Sequence, residues 1–474
     1  MRIFEAVLLV AEALTLLALA LPQLRQTRWA WLAGFCALLA AFAQLFAEGF
    51  RWQMAPAYGL AVLLAAILAL RTKAGGAAWT AGLAGLTLVL ALAIALPALV
   101  PMFQFPAPSG PHAIGTLTYH WVDPARADFG DPSARREIMV QVWYPAQPVA
   151  GAERDSYIQD GVAPSLVNDY VQLPAFAMRH FHLVKTHAVE GAPIAGGDTR
   201  YPVLLFSPGA QGFRQHNTFE VEELVSHGYV VAAIDHPRAA SQVVLPDGRR
   251  VDFDPQLIDI PRFFSEPAFG EAIFNYLAGD VSFALTQIAG LDAADPNRIL
   301  TGHLDPEAMG MFGVSLGGLV AAEACRIDPR LKACLIQDVF MPGDVIRDGV
   351  DQPTMWLTRG AASMRDEGWP EWEVDLHQSS MAAAFKDASA DGYLVHIPGM
   401  FHVNYTDFPY TIATPVARAL GLIGPIDWRR GHQIVNAYAL AFFDRHLRGN
   451  PAPLLEDESP PFRDVELQRH VPAS

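Results

Sequence analysis

Ser315 lies in the segment Gly313-Val314-Ser315-Leu316-Gly317-Gly318, where glycines flank it on both sides. A continuous apolar run at 309–312 precedes this segment, and a helix-like stretch at 319–323 follows it. A Gly-x-Ser-x-Gly pattern between a strand and a helix is typical of a nucleophile elbow, a strained turn that exposes the serine hydroxyl. The pattern also occurs in ordinary glycine-rich turns, but its position between strand and helix favours a nucleophile.

A serine hydroxyl needs a neighbouring base, which in this kind of site comes last in the chain, after an acid. His402 is the candidate base, because it follows the predicted strand 393–397 through a short loop. His396 is its rival, but it falls inside the strand pattern, which favours a structural role.

The acid that orients the base has two candidates. Asp338 follows the predicted strand 333–336, and Asp366 follows the predicted strand 354–357. Both positions are at carboxyl ends of strands, where sites of α/β proteins assemble. From the residues alone Asp366 is slightly favoured, because the acid commonly follows the later strand.

Hydrolysis of an ester through a serine also needs two backbone N–H donors for the oxyanion. One is expected from Leu316, the residue after the nucleophile. The other is expected from the glycine-containing loop 207–212, with Ala210 the first choice and Gln211 the second.

The elements around these residues alternate between strand and helix signals. Continuous apolar runs are typical of strands buried in a parallel sheet, and alternating runs at 113–121 and 137–144 predict antiparallel strands before them. Further strands are predicted at 202–206, 229–234, 309–312, 333–336, 354–357 and 393–397. Helices are predicted at 217–227, 268–290, 317–327, 376–386 and 431–447, the last stopped by Gly449. The sequence therefore predicts an α/β fold with a mostly parallel sheet flanked by helices.

The N-terminal part is different, because four apolar runs occupy roughly 3–21, 29–48, 55–70 and 78–101. Each is near the ~17–25 residues that cross a bilayer as a helix. The predicted organisation is a transmembrane bundle of about four helices at 1–104, a Pro/Gly/Ser-containing linker at 105–112 and a catalytic domain at 113–474.

Charge indicates an orientation and excludes one class of partner. Positive residues fall in the first and third connections, which predicts that these two loops are cytoplasmic and that the catalytic domain is extracytoplasmic. The whole chain has a formal net charge of −16. The first 104 residues carry +3, which leaves −19 for the rest of the chain. An acidic domain argues against a nucleic-acid partner. The three cysteines, Cys36, Cys325 and Cys334, are too few for a disulfide framework and are expected to be buried thiols.

From about residue 110 the chain resembles the platelet-activating-factor acetylhydrolase family of α/β-hydrolases, the plasma-type and intracellular type II group with its bacterial relatives. The matching segments are Gly110-Pro111, Ile114-Gly115-Thr116, 139–146, Phe206-Ser207-Pro208-Gly209, 226–233, 312–318, 338–342 and 402–408. They occur in family order over most of residues 110–410.

The resemblance implies an α/β-hydrolase fold and changes the choice of acid. In the family the acid lies in a segment like 338–342, so Asp338 is preferred to Asp366. The resemblance also implies no metal or cofactor, association with lipid surfaces and short or oxidised acyl chains on phospholipid-like esters. Pro208 and Val314 depart from the family pattern, which usually has His at the first position and often at the second. Both positions flank the expected oxyanion donors.

The expected function is a membrane-anchored serine hydrolase that cleaves lipid or other lipophilic esters through an acyl-enzyme, with the bilayer as partner. The alternatives are a non-catalytic hydrolase-fold binding or sensor protein, and a thioesterase, acyltransferase or peptidase that uses the same residues. Residues 150–200 and 240–270, the latter with Phe263, Phe264 and Phe269, are expected to cover the pocket.

Overall fold

The computed structural model describes residues 1–70, 76–158, 175–456 and 462–472. The chain divides into two compact units. The helical unit contains Met1–Gln104, Phe176–Val184 and Tyr410–Val416, and the sheet unit contains Phe105–Ala175, Lys185–Pro409 and Ala417–Ser474. Two short segments from later in the chain therefore belong with the N-terminal helices.

The helical unit contains, among its described residues, four helices long and apolar enough to cross a bilayer, which fits the predicted bundle. They are α1 (Ile3–Ala20), α2 (Arg28–Ala43), α3 (Ala55–Ala69) and α4 (Ala77–Leu99). A π-turn, Gln44–Glu48, extends α2, and a 3₁₀ turn, Trp52–Met54, precedes α3. Small residues such as Ala30, Ala37, Ala57 and Ala61 are fully buried, which allows close helix packing.

Polar contacts show which ends of these helices lie together. Arg51 forms a buried ion pair of 2.7 Å with Glu5, and its guanidinium also reaches the carbonyl of Val100. Arg2 contacts the backbone carbonyl of Glu48. The N-terminus, the connection between α2 and α3, and the end of α4 are therefore at one end of the unit.

The sheet unit is built on ten strands among the described residues, and two more form a hairpin. The strands are β1 (Ala113–Ala127), β2 (Arg135–Ala146), β3 (Ala188–Glu190), β4 (Tyr201–Ser207), β5 (Val230–Asp235), β6 (Gln242–Val244), β7 (Arg250–Asp252), β8 (Leu304–Val314), β9 (Leu331–Gln337), β10 (Thr354–Thr358), β11 (Gly392–His396) and β12 (Glu466–His470). The order in the large sheet is β12-β11-β10-β9-β8-β4-β5-β2-β1-β3, and β6 pairs with β7.

The strands from β5 through β4, β8, β9 and β10 to β11 are all parallel neighbours. Their carboxyl ends therefore meet at one edge of the sheet. Antiparallel β2 and β1 extend one side and antiparallel β12 closes the other. This mixed, mostly parallel sheet confirms the predicted fold class.

Helices cover both faces of the sheet. They are α5 (Thr218–Ser226), α6 (Ile260–Ser265), α7 (Pro267–Ala294), α8 (Leu316–Ile327), α9 (Gly343–Asp348), α10 (Ala361–Asp366), α11 (Glu371–Lys386) and, after two short helices that overlap the segment Tyr410–Val416 of the helical unit, α12 (Phe408–Thr411) and α13 (Thr414–Ala419), the last helix α14 (Trp428–Arg448). Gly449 ends α14 in the left-handed conformation, with φ 66°, as the sequence predicts.

The expectation of three thiols is wrong for two of the cysteines. Cys325 near the end of α8 and Cys334 on β9 form a disulfide, with their Cα atoms 6.5 Å apart, while Cys36 is free. The two are only nine positions apart in sequence, and the short return from α8 into β9 places them side by side. Counting cysteines does not detect such a local pair.

Candidate active site

Ser315 lies at the turn between β8 and α8 with φ 57° and ψ −123°, a conformation that residues with a side chain rarely adopt. Side chains at Gly313 and Gly317 would overlap the backbone of the turn and of Ser207. The N–H of Ser315 donates to the carbonyl of Gln337 on the neighbouring strand, at 3.0 Å. This is the geometry of a nucleophile elbow, in which local strain holds the hydroxyl away from the backbone.

His402 begins a 3₁₀ turn, His402–Tyr405, in the loop after β11. Its Nδ1 lies 2.6 Å from Oδ2 of Asp338, the residue directly after β9. Asp338 is almost fully buried, and its other oxygen accepts a hydrogen bond from the Thr358 hydroxyl at 2.9 Å. The carboxylate therefore holds the imidazole with Nε2 available for proton transfer.

Arg359 follows β10 and is fully buried beside this carboxylate, with Nε 3.1 Å from Oδ2 of Asp338. Burial alone would raise the pKa of Asp338, but the charge of Arg359 and the hydrogen bond from His402 outweigh it and hold the pKa well below its usual range. The acid is therefore ionised when it faces His402.

Glu367 forms an ion pair with the other side of the Arg359 guanidinium and accepts a hydrogen bond from the His402 backbone N–H at 3.1 Å. Arg359 also lies 4.2 Å from the ring centre of Trp369. Asp366, one residue before Glu367, is exposed at the end of α10 and does not line the cavity. The structure therefore brings Asp338, and not Asp366, to His402.

The loop after β4 carries the two candidates for the second oxyanion donor, Ala210 and Gln211. The N–H of Gln211 donates a hydrogen bond to the carbonyl of Ala239 at 2.8 Å, so it is not available to an oxyanion. Within the described ranges, the N–H groups of Ala210 and Leu316 donate no hydrogen bond. A Cβ at Gly209 would lie 3.3 Å from Cβ of Ser315, so the loop runs close to Ser315. Of the two loop candidates, Ala210 is the one with a free donor.

Ser315, His402 and Asp338 all line one cavity of about 370 Å³. Its apolar walls come mainly from aromatic and aliphatic side chains: Ile260, Phe263, Phe264, Leu319, Phe340 and Trp369. Ile260, Phe263 and Phe264 belong to α6, so part of the predicted cover at 240–270 lies over the cavity. Phe269 packs behind it, 5.8 Å from the Phe263 ring. In the other predicted cover region, residues 159–174 lie outside the described residues.

Two histidines that the sequence does not single out also line the cavity. Burial lowers the pKa of His377 to about 3, and burial with the nearby His402 lowers that of His216 to about 4. Both are therefore neutral at physiological pH. His396, by contrast, ends β11 and lies 3.7 Å from Glu466, away from this cavity.

Sequence reasoning also did not find Arg359 and Glu367. One feature of the sequence could have pointed to Arg359, because it is a charged residue close behind a predicted buried strand. No feature of the sequence points to Glu367. Among the described residues, no group of three or more His, Cys, Asp or Glu side chains is arranged to hold a metal ion.

The mostly parallel sheet, the elbow after its central strand β8 and the His–Asp pair at the same edge define the chain as an α/β-hydrolase-fold protein. The family model of platelet-activating factor acetylhydrolase, isoform II, matches residues 98–247 and 280–451. The chain belongs to this family, and the resemblance seen in the sequence is confirmed.

Individual relatives are similar over different lengths. The platelet-activating factor acetylhydrolase of Cavia porcellus is 22% identical over 279 residues, which are 56% of this chain and 61% of the relative. The chain thus spans about three fifths of such mammalian relatives. A probable 1-alkyl-2-acetylglycerophosphocholine esterase of Arthroderma benhamiae is 25% identical over 407 residues, 80% of this chain and 98% of the relative.

A solved structure is similar over most of the sheet unit's length. The ferulic acid esterase from Streptomyces cinnamoneus is 29% identical, with a TM-score of 0.62, and the match covers 77% of this chain and 99% of that one. This likeness agrees with the fold of the sheet unit.

Proposed function

We propose that this protein is a membrane-anchored serine hydrolase that cleaves carboxylic esters through an acyl-enzyme intermediate. The observation that carries the proposal is one cavity lined both by a serine on a strained turn, Ser315, and by a histidine that a buried carboxylate holds, His402 with Asp338. Membership of the acetylhydrolase family supports the same reaction class.

In the proposed mechanism the Ser315 hydroxyl attacks the ester carbonyl while Nε2 of His402 takes its proton. Asp338 keeps Nδ1 protonated and stabilises the imidazolium that forms. The N–H groups of Leu316 and Ala210 stabilise the oxyanion. His402 then gives the proton to the leaving alcohol, and water activated by the same imidazole releases the acid.

The proposed substrate is a lipid or lipophilic ester with a short acyl chain. Mainly apolar walls favour a lipophilic substrate, and a cavity of about 370 Å³ has room for a modest acyl group and part of the alcohol. The names of the relatives, which include an acetylglycerophosphocholine esterase, support this choice.

We place the catalytic domain, 113–474, on the extracytoplasmic side, joined by the linker 105–112 to the transmembrane bundle 1–104. Arg25 lies in the connection between α1 and α2 and Arg28 begins α2, whereas Arg2 and Arg51, at the other end, pair with Glu5. An excess of positive residues in short loops favours the cytoplasm. The disulfide in the sheet unit also favours an oxidising compartment.

A second candidate substrate is an ester of an aromatic acid. The aromatic side chains of the cavity wall, Phe263, Phe264, Phe340 and Trp369, favour it, as does the similarity to the ferulic acid esterase from Streptomyces cinnamoneus. Flat aromatic acyl groups pack well against such rings.

One experiment tests both candidates. The full chain in detergent is assayed with nitrophenyl acetate, butyrate and octanoate, with methyl ferulate, and with an acetylated ether phospholipid in vesicles. We expect the acetyl esters to have the highest kcat/KM, and a preference for ferulate would replace the first candidate by the second. Ser315→Ala should abolish every activity, with Ser379→Ala, at an exposed position of α11, as the matched control. If Ser315→Ala retained full turnover, the enzymatic proposal would fail.

A further inference from the structure

A second chain of serine, histidine and aspartate lies beneath the loop that follows β4. The hydroxyl of Ser207 is 3.0 Å from Nε2 of His236, and Nδ1 of His236 is 2.8 Å from Oδ2 of Asp280. Arg136 completes the chain, with Nη2 2.6 Å from Oδ2 of Asp280. The order of groups matches a catalytic triad, but its surroundings are different.

This chain has no access to substrate. Ser207, Asp280 and Arg136 are completely buried, and His236 is 3% exposed. The void that Ser207 and His236 line has no room for a water molecule. A hydroxyl enclosed in this way is not a second nucleophile, so the chain must act through its neighbours.

The ion pair between Arg136 and Asp280 determines which nitrogen of His236 carries the proton. Burial alone would raise the pKa of Asp280, but the charge of Arg136 and the hydrogen bond from His236 hold the pKa far below its usual range. An ionised Asp280 accepts a hydrogen bond from Nδ1–H of His236, and in the neutral imidazole Nε2 is then the acceptor for the Ser207 hydroxyl. The direction of the last hydrogen bond is therefore defined.

Ser207 is the last residue of β4 and directly precedes Pro208, Gly209 and Ala210. Its carbonyl oxygen packs against Gly317 so closely that a side chain at Gly317 would overlap it. Ser207 therefore lies between the loop that carries the Ala210 N–H and the first turn of α8, which carries the Leu316 N–H. A shift of Ser207 changes the distance between the two donors.

The segment that carries His236 also holds the far end of the loop. Ala239 accepts a hydrogen bond from the Gln211 N–H at 2.8 Å, and the Ser241 N–H donates to the carbonyl of Gly212 at 3.0 Å. Residues 236–241 thus hold both ends of the loop 207–212, one end through a side chain and the other through backbone. Ala210 lies between these two attachments.

We propose that His236 is a positioning residue that sets the spacing of the two oxyanion donors through its hydrogen bond to Ser207. The proposal rests on the proposed function, because it assigns a role in ester hydrolysis. His236 touches no substrate; it acts on the Ala210 and Leu316 N–H groups by fixing the backbone between them. A rigid, fully hydrogen-bonded support is what an oxyanion hole requires, since donors that must reorganise stabilise the transition state less.

The test compares three substitutions that separate the two hydrogen bonds of His236. Ser207→Ala removes the hydroxyl. In His236→Asn the amide nitrogen takes the place of Nδ1 and keeps the bond to Asp280, but nothing reaches Ser207. In His236→Gln the amide takes the place of Nε2 and keeps a partner for Ser207. Tyr119→Phe is the control, because it removes a buried hydrogen bond of 2.9 Å to Asp295 without a link to the loop.

The readout is the rate of a nitrophenyl ester against that of the matching thionoester, whose sulfur accepts hydrogen bonds weakly and depends less on the oxyanion donors. We expect Ser207→Ala and His236→Asn to lower kcat for the oxygen ester roughly 10- to 100-fold with KM within about twofold. The thionoester should fall much less, and His236→Gln should lie closer to the wild type. Retained thionoester turnover also shows that the variant is folded.

Two results would overturn the proposal. One is an equal loss for both esters that follows the fall in melting temperature, as expected for Tyr119→Phe, since this indicates a role in stability alone. The other is unchanged oxygen-ester turnover in Ser207→Ala while Ser315→Ala is inactive. Full activity of Ser315→Ala would instead remove the proposed function itself, so the two failures are distinguishable.

Discussion

The guanidinium of Arg359 lies 3.1 Å from the carboxylate of Asp338, and both side chains are buried. This ion pair lies directly behind the imidazole of His402. A buried carboxylate is stable as an anion only when a positive charge or several hydrogen bonds compensate it. The cation is therefore part of what makes Asp338 a suitable partner for His402.

We expect Arg359→Met to destabilise the protein by about 3–5 kcal/mol, because it leaves the Asp338 carboxylate buried without its counterion. The wild-type pKa of Asp338 is lowered, so the stability that its ionised form contributes is present above the ordinary pKa of 3.8 and is lost as pH falls below it. In the variant the buried carboxylate lacks the charge that lowers its pKa, so protonation relieves the cost of burying it, and the stability deficit relative to the wild type should shrink as pH falls. Urea unfolding at a series of pH values measures both effects.

Arg365→Met is the matched control, because Arg365 pairs with Glu371 at the surface. Exposed pairs contribute about 0–1 kcal/mol, so this variant should unfold nearly as the wild type does. Equal destabilisation by the two substitutions would contradict the role given to Arg359.

Asp338→Asn should lower kcat roughly 10³- to 10⁴-fold, because an amide no longer holds the required tautomer of His402. Asp366→Asn should leave kcat within about twofold of wild type, since Asp366 is exposed and lies outside the cavity. Steady-state kinetics with nitrophenyl acetate distinguish the two. A large loss in Asp366→Asn with none in Asp338→Asn would reverse the assignment of the acid.

Glu220 links the segments that carry Asp338 and His402. Its carboxyl accepts one hydrogen bond from Gln337, the residue before Asp338, and another from Asn217. Asn217 also donates to the carbonyl of Tyr405, which ends the turn that begins at His402. Burial raises the pKa of Glu220 from 4.5 to about 7. Between these values the native state keeps a proton that the unfolded chain has released, so stability falls as pH rises through this window. The fall amounts to on the order of 3 kcal/mol.

Glu220→Gln should remove this pH dependence. The amide oxygens of Gln337 and Asn217 have no hydrogen-bond partner among the described residues, so they can accept from the new amide after rotating. Chemical unfolding between pH 5 and about 8 measures the slope. A slope equal to that of the wild type would show that Glu220 is not the group responsible.

Removing the disulfide by changing Cys325 and Cys334 to Ser should cost about 2–3 kcal/mol, as expected for a short closed loop. Without a reductant, an alkylating reagent applied to the unfolded wild type should modify Cys36 alone, and mass spectrometry counts the labels. Modification of all three cysteines in protein freshly isolated from membranes would contradict an oxidising location for the sheet unit.

Phe264→Ala should widen the acyl site, because Phe264 lines the cavity and packs against Phe340 and Trp372 at ring distances of 5.3 and 5.1 Å. We expect the octanoate-to-acetate ratio of kcat/KM to rise roughly tenfold. Phe269→Ala is the control, since Phe269 packs behind the wall. The same increase in both variants would show that the loosening of α6, and not the wall, sets chain length.

The central elements could be predicted because strands buried in a parallel sheet are continuous apolar runs, and the helices between them carry their own stops. The edge elements could not. Strand β12, Glu466–His470, is polar and short, and it is a strand only because β11 offers it unpaired backbone groups. The hairpin of β6 and β7 was missed for the same reason.

The sequence by itself determined the parts of the site that depend on local backbone. The strand, glycines and helix around position 315 specify a strained turn, and the loop that delivers His402 follows from the strand before it. Family resemblance, which compares residues along the chain, added Asp338.

Only the tertiary structure decided which distant groups meet. Asp338 faces His402 because β9 and β11 end at the same edge of the sheet, and Arg359 joins them from β10, which lies between. The Gln211 N–H is already hydrogen-bonded because a later segment of the chain supplies the carbonyl of Ala239 as its acceptor. Cys325 lies beside Cys334 because α8 returns directly into β9. These pairings depend on sheet order and on competition for hydrogen bonds, and neither is encoded in the spacing of residues along the chain.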